Sequence, residues 1–336
     1  MKALILTGGQ GTRLRPLTLT TLKPLLPIAN LPFLNYPLSL LRKAGAREVI
    51  LCTSSSLAPY REFVRGQKKL GTELHCSQES RPLGTGGAVK NAEGYLETSP
   101  FFVMNGDSLT NLDFSELLRF HKSKRAAVTL ALITVEDPSQ YGLVMTGPKS
   151  EIQRFIEKPS ELDLNSRRKF LINAGIYVFE KEVLGLMPRN SVYSIERELF
   201  PQLLQKGWPV YGYAAKPSVY WMDIGTSGKY LQANIDVISK KITGVVPGSW
   251  TKALGEHSRI HPTAKVGKNV VIGKHCVVGP KAVLNRSVLL DHVHVGSEAT
   301  IENCIIGNRC HIGSHAQIKQ TQALGDHSRI TPFSRL

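Results

Sequence analysis

The feature that most constrains the fold is a six-residue repeat of aliphatic residues in the last third of the chain. The repeat starts after Gly244, runs from Leu254 to Leu290, and resumes from Ile306 to Ile330 after a register break. Two distant segments, ALGEHSRIHP and ALGDHSRITP, nearly repeat one another. A period of six is typical of a β-helix, in which short strands stack into a triangular prism.

The repeat also bears on the cysteines and histidines in this region. Cys276 and Cys310 occupy the small-residue position of their hexads, so we expect them to face the prism core. Eight of the ten histidines lie here, and four share one outward turn position: His257, His275, His315 and His327. We expect these four to be solvated turn residues. A histidine that acts as an acetyltransferase base is the less favoured alternative, because the prism is short and no second catalytic signature accompanies it.

Residues 1–240 follow a different pattern, in which apolar strands alternate with amphipathic helices. The strands read KALILT, REVILCT, TELHCSQ and FFVMNGD, and helical spacing covers 35–45, 86–97 and 113–125. Asp113 is the expected N-cap of the third helix. This alternation predicts right-handed crossovers and a mostly parallel sheet covered on both faces. We therefore expect an α/β domain over 1–240 and a β-helix domain over 245–336.

The composition of the chain limits its partners. It has 42 Lys and Arg residues against 26 Asp and Glu, a formal net charge of +16. Basic runs and basic stripes interleaved with aromatic residues are missing, so small polyanions are favoured over nucleic acid. No apolar stretch reaches the ~20 residues that span a bilayer, and the N-terminus reads as a strand instead of a signal peptide. Five cysteines without a CxxC pair suit reduced thiols, which favours a cytoplasmic protein without membrane contact.

A glycine-rich and basic stretch directly follows the first strand, in LILTGGQGTRLRPLT and then KPLLP. Gly8, Gly9 and Gly11 remove side chains where backbone N–H groups can approach a ligand closely. Arg13 and Lys23 add positive charge around the same space. A tight turn with solvated basic residues is the alternative, but the long joint pattern favours a loop that holds a polyphosphate.

Two aspartates indicate a divalent cation. Asp107 in NGD follows one strand, and Asp223 in WMDIGT follows an aromatic-rich run. A carboxylate repels a phosphate ligand unless a cation lies between them, so we expect the two residues to share one Mg²⁺. The alternative for each aspartate is a capping role, which for Asp223 concerns a helix that begins near Thr226.

The motif EKP places Glu157 and Lys158 at the end of another strand. A twist before Pro159 would aim both side chains into the cleft, where Glu accepts hydrogen bonds from sugar hydroxyls and Lys neutralises a phosphate. A surface ion pair is the alternative, and such pairs contribute little. Gly142 in QYGLV and Asn173 in INAGIYVF lie among small residues, which suit a flat ring packed close to the backbone.

Together these motifs resemble those of the sugar-1-phosphate nucleotidylyltransferases, the nucleotide-sugar pyrophosphorylases. The matching stretches are GGQGTRLRPLT, KPLLP, PLGTGGA, NGD, YG, EKP, NAGIY and WMDIGT. PLGTGGA, INAGIY, SIERELFP and WMDIGT are most similar to mannose-1-phosphate guanylyltransferases. The resemblance implies a Rossmann-like, mostly parallel mixed sheet followed by a left-handed hexapeptide-repeat β-helix.

The resemblance also implies a reaction and a set of site residues. Family members transfer a nucleotidyl group from an NTP to a sugar 1-phosphate with Mg²⁺, and pyrophosphate leaves. The implied catalytic residues are Arg13, Lys23 and Lys158. The implied nucleotide-binding residues are Leu6, Gly8, Gly9, Gly11, Thr12, Arg13, Lys23, Gln78, Gly84, Thr85 and Asp107. The sugar phosphate is implied to contact Gly142, Glu157, Lys158, Asn173 and Asp223, and the metal Asp107 and Asp223.

The motifs leave several alternatives open. NGDS also resembles heptose-phosphate guanylyltransferases, and a glucose-1-phosphate enzyme that uses another NTP fits the same motifs. A non-catalytic regulatory subunit that binds nucleotide sugars is an alternative of another class, although the basic and acidic residues that such relatives lose are present. The open end of an aliphatic ladder must be capped or buried, so we expect the β-helix to form a homo-oligomer interface or to pack on the catalytic domain.

Overall fold

The computed structural model describes residues 1–54, 56–68, 71–98, 100–160, 169–320 and 323–336. The chain divides into two compact units. The first contains Met1–Gly9 and Pro37–Trp221, and the second contains Gln10–Tyr36 and Met222–Leu336. The domain boundary between 240 and 245 that the sequence suggests stays a prediction.

Up to Asp223 the described residues form thirteen strands: β1 Lys2–Leu6, β2 Pro27–Ile28, β3 Leu31–Pro32, β4 Glu48–Thr53, β5 Glu73–Gln78, β6 Phe101–Asn105, β7 Ser108–Thr110, β8 Val128–Val135, β9 Gly142–Thr146, β10 Ile152–Glu157, β11 Phe170–Phe179, β12 Val210–Ala214 and β13 Trp221–Asp223. The α-helices are α1 Asn35–Lys43, α2 Tyr60–Lys68, α3 Gly84–Asn91, α4 Phe114–Lys124, α5 Phe200–Gln205 and α6 Ser227–Ile238. Short turns of 3₁₀ helix lie at Thr12–Leu14, Leu17–Leu19, Lys23–Leu25, Glu93–Tyr95, Lys181–Leu186 and Gly248–Trp250, and a π-helical turn at Ile195–Leu199.

The first unit is built on a mixed sheet in the order β10–β9–β11–β6–β1–β4–β5, with β8 paired to β11 and β12 paired to β8. Strands β6, β1, β4 and β5 are parallel to one another, whereas β11 is antiparallel to β6. The middle of β1 is buried on both faces, as expected for a parallel strand. The predicted Rossmann-like mixed sheet is confirmed, and its parallel strands end at one edge.

Helices cover both faces of this sheet, as the sequence predicts. One face packs on α3, α5 and the π-helical turn, with Tyr177 and Phe200 rings 5.6 Å apart. The other face packs on α4, where Phe102 and Phe114 lie 5.4 Å apart. Asp113 caps α4 as predicted, since its Oδ1 accepts from the backbone N of Ser115 at 2.8 Å. The helix predicted over 86–97 is shorter than expected, because α3 ends at Asn91 and only a 3₁₀ turn follows.

After α6, the described residues of the second unit form twelve short strands of a prism: β14 Arg259–Ile260, β15 Lys265–Val266, β16 Val270–Ile272, β17 Val277–Val278, β18 Val283–Asn285, β19 Ser287–Leu289, β20 His294–Val295, β21 Thr300–Glu302, β22 Ile305–Ile306, β23 His311–Ile312, β24 Gln317–Lys319 and β25 Arg329–Ile330. They form three parallel sheets, β14–β17–β20–β23–β25, β15–β18–β21–β24 and β16–β19–β22. This arrangement confirms the predicted β-helix and fits the left-handed class.

The prism core is a column of aliphatic and small side chains in which each strand stacks on the equivalent strand of the next coil. The predicted register is wrong at one point. Leu289, and not Leu290, enters the core, because Leu289 pairs with Ile272 below and Ile306 above. One corner of this coil is a residue shorter than the hexad period, and Arg286 turns it with a left-handed φ of 43°.

The cysteines and histidines of the prism lie where the sequence places them. Cys276 and Cys310 are buried in the core, and no disulfide links any of the five cysteines. The histidines at the turn position are exposed and have left-handed φ angles. His257, His275 and His292 stack in a column, with ring centroids 5.0 and 4.9 Å apart. Within the described ranges, no helix is long and apolar enough to cross a membrane.

Candidate active site

At the carboxyl edge of the sheet, the ends of β1 and β6 lie side by side. Gly106 N donates to Leu6 O over 2.9 Å. A Cβ on Gly106 would lie 2.6 Å from that oxygen, so only glycine permits this approach. Asp107 follows Gly106 directly, and Gly8 and Gly9 lie just beyond Leu6. The structure therefore brings these predicted nucleotide residues and the first metal-binding candidate to one edge.

Gly8 lies next to an inward-facing carboxylate. Ser54 Oγ donates to Gly8 O over 2.8 Å, and a Cβ on Gly8 would lie 3.3 Å from Glu79 Oε1. Glu79 accepts from the backbone N of Leu83 over 2.8 Å, and burial raises the pKa of its carboxyl above the usual value. Exposed Gln78 precedes it at the end of β5. Glu79 thus ties the turn between β5 and α3 to the neighbourhood of the glycine loop.

The glycines of PLGTGGA serve packing within the first unit. Gly84 opens α3 with a left-handed φ of 74°, and a Cβ there would lie 2.8 Å from Tyr193 O. The N–H groups of Gly86 and Gly87 both donate to that oxygen, over 2.9 and 3.0 Å. These two backbone amides are therefore hydrogen-bonded within the protein. Among the predicted residues of this motif, Thr85 has the side chain that makes a polar contact.

Three predicted sugar-binding residues lie together on neighbouring strands. Gly142 pairs with Glu157, and a Cβ on Gly142 would lie 2.5 Å from Phe155 Cζ and 3.0 Å from Glu157 Oε2. Strand β9 pairs with β11 one residue before Asn173. Lys158 is exposed and has a left-handed φ of 52°, which breaks the strand alternation after Glu157. The backbone therefore twists at Lys158, directly before Pro159.

A second carboxylate, Glu196, is linked to Asn173 through a short hydrogen-bond network. Thr85 Oγ1 donates to Glu196 Oε2 over 2.7 Å, and Tyr177 OH donates to Glu196 Oε1 over 3.1 Å. Asn173 Nδ2 in turn donates to Tyr177 OH over 2.8 Å. Burial, and then the charge of Glu196, raise the pKa of Glu157, and neighbouring cations oppose this shift. Two carboxylates at one site suit the recognition of a ligand rich in hydroxyl groups.

The other two predicted cations, Arg13 and Lys23, lie in the second unit. They belong to its range Gln10–Tyr36, and we call this range the loop segment. Thr12 and Arg13 are exposed on its first 3₁₀ turn, and Lys23 begins its third. Gly11 has a left-handed φ of 62°, and a Cβ there would lie 3.0 Å from Thr18 Cγ2. Thr18 Oγ1 donates to Gly11 O over 2.7 Å, so the turn that carries Arg13 is closed on itself.

Asp223 lies in a compact cluster at the start of α6. It forms an ion pair with Lys229, and its Oδ1 accepts from Gly225 N over 3.2 Å. A Cβ on Gly225 would lie 2.8 Å from Asp223 Oδ1 and 3.0 Å from Arg13 Nη2. The N-cap of α6 is Thr226, whose hydroxyl accepts from Lys229 N over 3.4 Å. Asp223 is therefore not the helix cap, and its neighbours are two cations.

The acidic residues suit a hard divalent cation. Asp107 and Asp223 supply carboxylate oxygens, the ligands that Mg²⁺ prefers. Within the part of the chain that the structure describes, no group of three or more His, Cys, Asp or Glu side chains could hold a metal.

Three residues of these clusters are missing from the sequence-based site: Glu196, Tyr177 and Lys229. SIERELFP, which contains Glu196, is recognisable in the sequence, but no residue type in it points to a sugar without the fold. Lys229 carries a local signal. A lysine in the first turn of a helix faces the positive end of the helix dipole, so it needs an anionic partner such as Asp223.

Comparison with known families places the chain. The nucleotidyl transferase family model matches residues 2–240, and the GMPPB C-terminal domain model matches residues 252–333. The chain belongs to the nucleotidyl transferase family. It is a nucleotidyltransferase of the EC 2.7.7 class that works on an NTP and a sugar 1-phosphate, as the motifs predict. Members of the family generally use a divalent metal.

Two sequence relatives and one solved structure match most of this chain. A mannose-1-phosphate guanylyltransferase of Mycobacterium tuberculosis is 37% identical over 298 residues, 87% of this chain and 80% of that protein. The mannose-1-phosphate guanylyltransferase catalytic subunit beta of Drosophila melanogaster is 39% identical over 271 residues, 80% of this chain and 71% of that protein. The crystal structure of HddC from Yersinia pseudotuberculosis complexed with GMP-PN matches with a TM-score of 0.59 and 27% identity, covering 69% of this chain and 97% of HddC.

The cluster at Gly225 gives a test of the site geometry. In Gly225→Ala, the new methyl group meets the ends of the Asp223 and Arg13 side chains, which can move. We expect the fold to survive and kcat/KM to fall by about tenfold or more, because small displacements of positioned groups are costly to catalysis. Gly228→Ala is the matched control, since a Cβ at Gly228 has no atom within 4 Å. Steady-state kinetics and thermal melts of both variants test this expectation. Equal kcat/KM values for the two variants would contradict the assignment of Asp223 and Arg13 to the active site.

Proposed function

We propose that the protein transfers GMP from GTP to mannose 1-phosphate, which gives GDP-mannose and pyrophosphate. The observation that carries this choice of substrates is the match to relatives named mannose-1-phosphate guanylyltransferase along 80% or more of this chain. The match of residues 252–333 to the GMPPB C-terminal domain model supports the same choice.

In this proposal the nucleotide lies on the glycine-rich loop. The backbone N–H groups of Gly8, Gly9 and Gly11 donate to the phosphates, since these positions have no side chain to keep a ligand away. Arg13 and Lys23 neutralise the phosphates that leave as pyrophosphate. The other nucleotide contacts are Leu6, Thr12, Gln78, Gly84, Thr85 and Asp107.

We assign the divalent cation as Mg²⁺ and its protein ligands as Asp107 and Asp223. When bound, the ion neutralises charge on the reacting phosphates. The ion pair with Lys229 supports this role for Asp223, because it orients the carboxylate. The small number of acidic side chains also suits Mg²⁺, which usually keeps several waters and phosphate ligands.

The sugar phosphate is assigned to the cluster on β9, β10 and β11. Glu157 accepts hydrogen bonds from sugar hydroxyls. Gly142, a further assigned contact, lets Phe155 and Glu157 pack close to the backbone of β9, because a Cβ there would clash with both. Asn173 is oriented by Tyr177, which is itself held by Glu196. Further contacts with the sugar phosphate are assigned to Lys158 and Asp223.

The chemistry asks the protein for position and charge. A phosphate oxygen of mannose 1-phosphate attacks the α-phosphorus of GTP, and the bond between the α-phosphorus and the bridging oxygen to the β-phosphate breaks. Pyrophosphate leaves with the electron pair of that bond. Lys158 reduces the repulsion between the two phosphates, and Arg13 and Lys23 stabilise the charge that develops on the leaving group. The excess of basic residues draws both polyanions to the site.

A pyrophosphate-release assay tests the proposed substrates. We expect the highest kcat/KM with GTP and mannose 1-phosphate in the presence of Mg²⁺. ATP, UTP and dTTP, and the 1-phosphates of glucose and a heptose, are the comparison substrates. Faster turnover of another pair would replace the substrates but keep the reaction. No release from any pair would favour a regulatory subunit that only binds nucleotide sugars.

Asp223→Asn tests the metal assignment. The substitution keeps the shape of the side chain and removes one negative charge, so it should lower kcat by roughly 10²-fold or more with little loss of stability. Turnover should be measured over a Mg²⁺ titration, together with the melting temperature. Asp113→Asn is the control, because that residue caps α4 and Asn caps a helix about as well as Asp. Wild-type turnover of the Asp223 variant at low Mg²⁺ would remove Asp223 from the metal site.

We further propose a homo-oligomer formed through the first coil of the prism. Leu254 and Val266 are 46% and 38% exposed there, at the open end of the aliphatic column. We expect Val266→Glu to lower the molar mass measured by light scattering, while His315→Glu, on an exposed turn, leaves it unchanged. A wild-type protein of monomer mass would contradict this interface.

The five cysteines without a disulfide support a cytoplasmic location, which cell fractionation would check.

A further inference from the structure

The loop segment Gln10–Tyr36 has little regular structure of its own. Before α1 begins at Asn35, it consists of three single 3₁₀ turns and the two-residue strands β2 and β3, which pair with each other. Isolated turns and a short hairpin are marginal structures in water. The conformation of this segment therefore depends on tertiary contacts, although it carries two cations that the proposed function assigns to the NTP.

The last coil of the prism supplies one of these contacts. Thr20 Oγ1 donates to Asp326 Oδ2 over 2.7 Å. A Cβ on Gly325 would lie 3.1 Å from Pro16 Cβ, so Pro16 packs directly against the backbone of that coil. Both contacts lie within the second unit, and together they hold the loop segment on either side of its second 3₁₀ turn.

Asp326 is itself held in place by the coil beneath it. Its Oδ1 accepts from Asn308 N over 2.7 Å, and its Oδ2 accepts from Asn308 Nδ2 over 3.0 Å. The corresponding residue of the other ALG-x-HSRI repeat, Glu256, pairs with Lys252 on the first coil instead. The shorter aspartate thus presents one fixed carboxylate oxygen to Thr20.

The contact with the last coil reaches the turn that carries Arg13. Thr18, two residues before Thr20, donates to Gly11 O and closes that turn. At its other end, the loop segment is held by the second coil, where Asn30 Nδ2 donates to Ile272 O over 2.8 Å. Two parts of the loop segment are thus tied to different coils of one prism.

We propose that Asp326 is a positioning residue for NTP binding. By holding Thr20, it keeps the loop segment in the conformation in which Arg13 meets the triphosphate. This inference rests on the proposed role of the loop segment in binding NTP. Without the carboxylate, a smaller fraction of molecules holds the competent loop, and the apparent affinity for NTP falls by that fraction.

Four variants test this proposal. Asp326→Ala removes the carboxylate, Thr20→Val removes the hydroxyl with little change in shape, and Thr20→Ser restores a hydroxyl. Asp291→Ala is the matched prism control, because Asp291 Oδ1 accepts from Lys274 N over 2.7 Å as Asp326 does from Asn308 N. The bond to Thr20 is exposed, so we expect a moderate rise in KM for NTP of roughly three- to tenfold.

The expected pattern is specific to positioning. KM for NTP rises in Asp326→Ala and Thr20→Val, while kcat and KM for the sugar 1-phosphate stay near wild type. The double variant is no worse than the poorer single variant, because both remove one contact. Thr20→Ser and Asp291→Ala stay near wild type. An unchanged KM for NTP, or an equal rise in Asp291→Ala, overturns the proposal.

Hydrogen exchange separates this inference from the proposed function. Amides of 10–26 should exchange faster in Asp326→Ala and Thr20→Val than in wild type or Asp291→Ala. If the wild-type protein turns over no NTP and sugar 1-phosphate pair, the proposed function fails while faster exchange still supports the anchoring of the loop segment. Unchanged exchange in both variants overturns the anchoring whatever the activity.

Discussion

The candidate site depends on β1 having a parallel neighbour on each side. Hydrogen bonding to β4 and β6 fixes the direction and register of three strands, with Leu6 opposite both Cys52 and Asn105. Parallel strands end at the same edge, so the glycine turn after β1 and Asp107 after β6 share that edge without any direct attraction between them. Gly106 then allows the ends of β1 and β6 to approach closely, because it has no Cβ to clash with Leu6 O.

The sequence predicts those features that depend on local spacing. Strands, helices, the Asp113 cap and the β-helix follow from apolar periods and turn residues, and the family follows from motifs of several residues. Leu289 escapes prediction because a corner one residue short is decided by stacking between coils, which no hexad count contains. Glu196 escapes because its partners, Thr85 and Tyr177, are distant in sequence and meet only through packing.

Charge in the two clusters is balanced differently. Asp223 lies just before a helix, next to the cations Lys229 and Arg13. Glu157 instead lies near a second carboxylate and is partly buried, and both effects raise its pKa. The hydroxyl groups of Thr85 and Tyr177 donate hydrogen bonds to Glu196. The first arrangement suits a phosphate or metal ligand, whereas the second suits an uncharged polyol.

The membership of the loop segment in the second unit has a consequence for the order of folding. Thr20 and its partner Asp326 are 306 residues apart, and Asn30 and Ile272 are 242 residues apart. Contacts at such separation carry the largest loop-closure entropy and form late. During synthesis, the sheet of the first unit can assemble before the prism residues that bind the loop segment have been made. In the proposed function, the nucleotide site is therefore completed only after the distant prism residues that hold the loop segment have been made and folded.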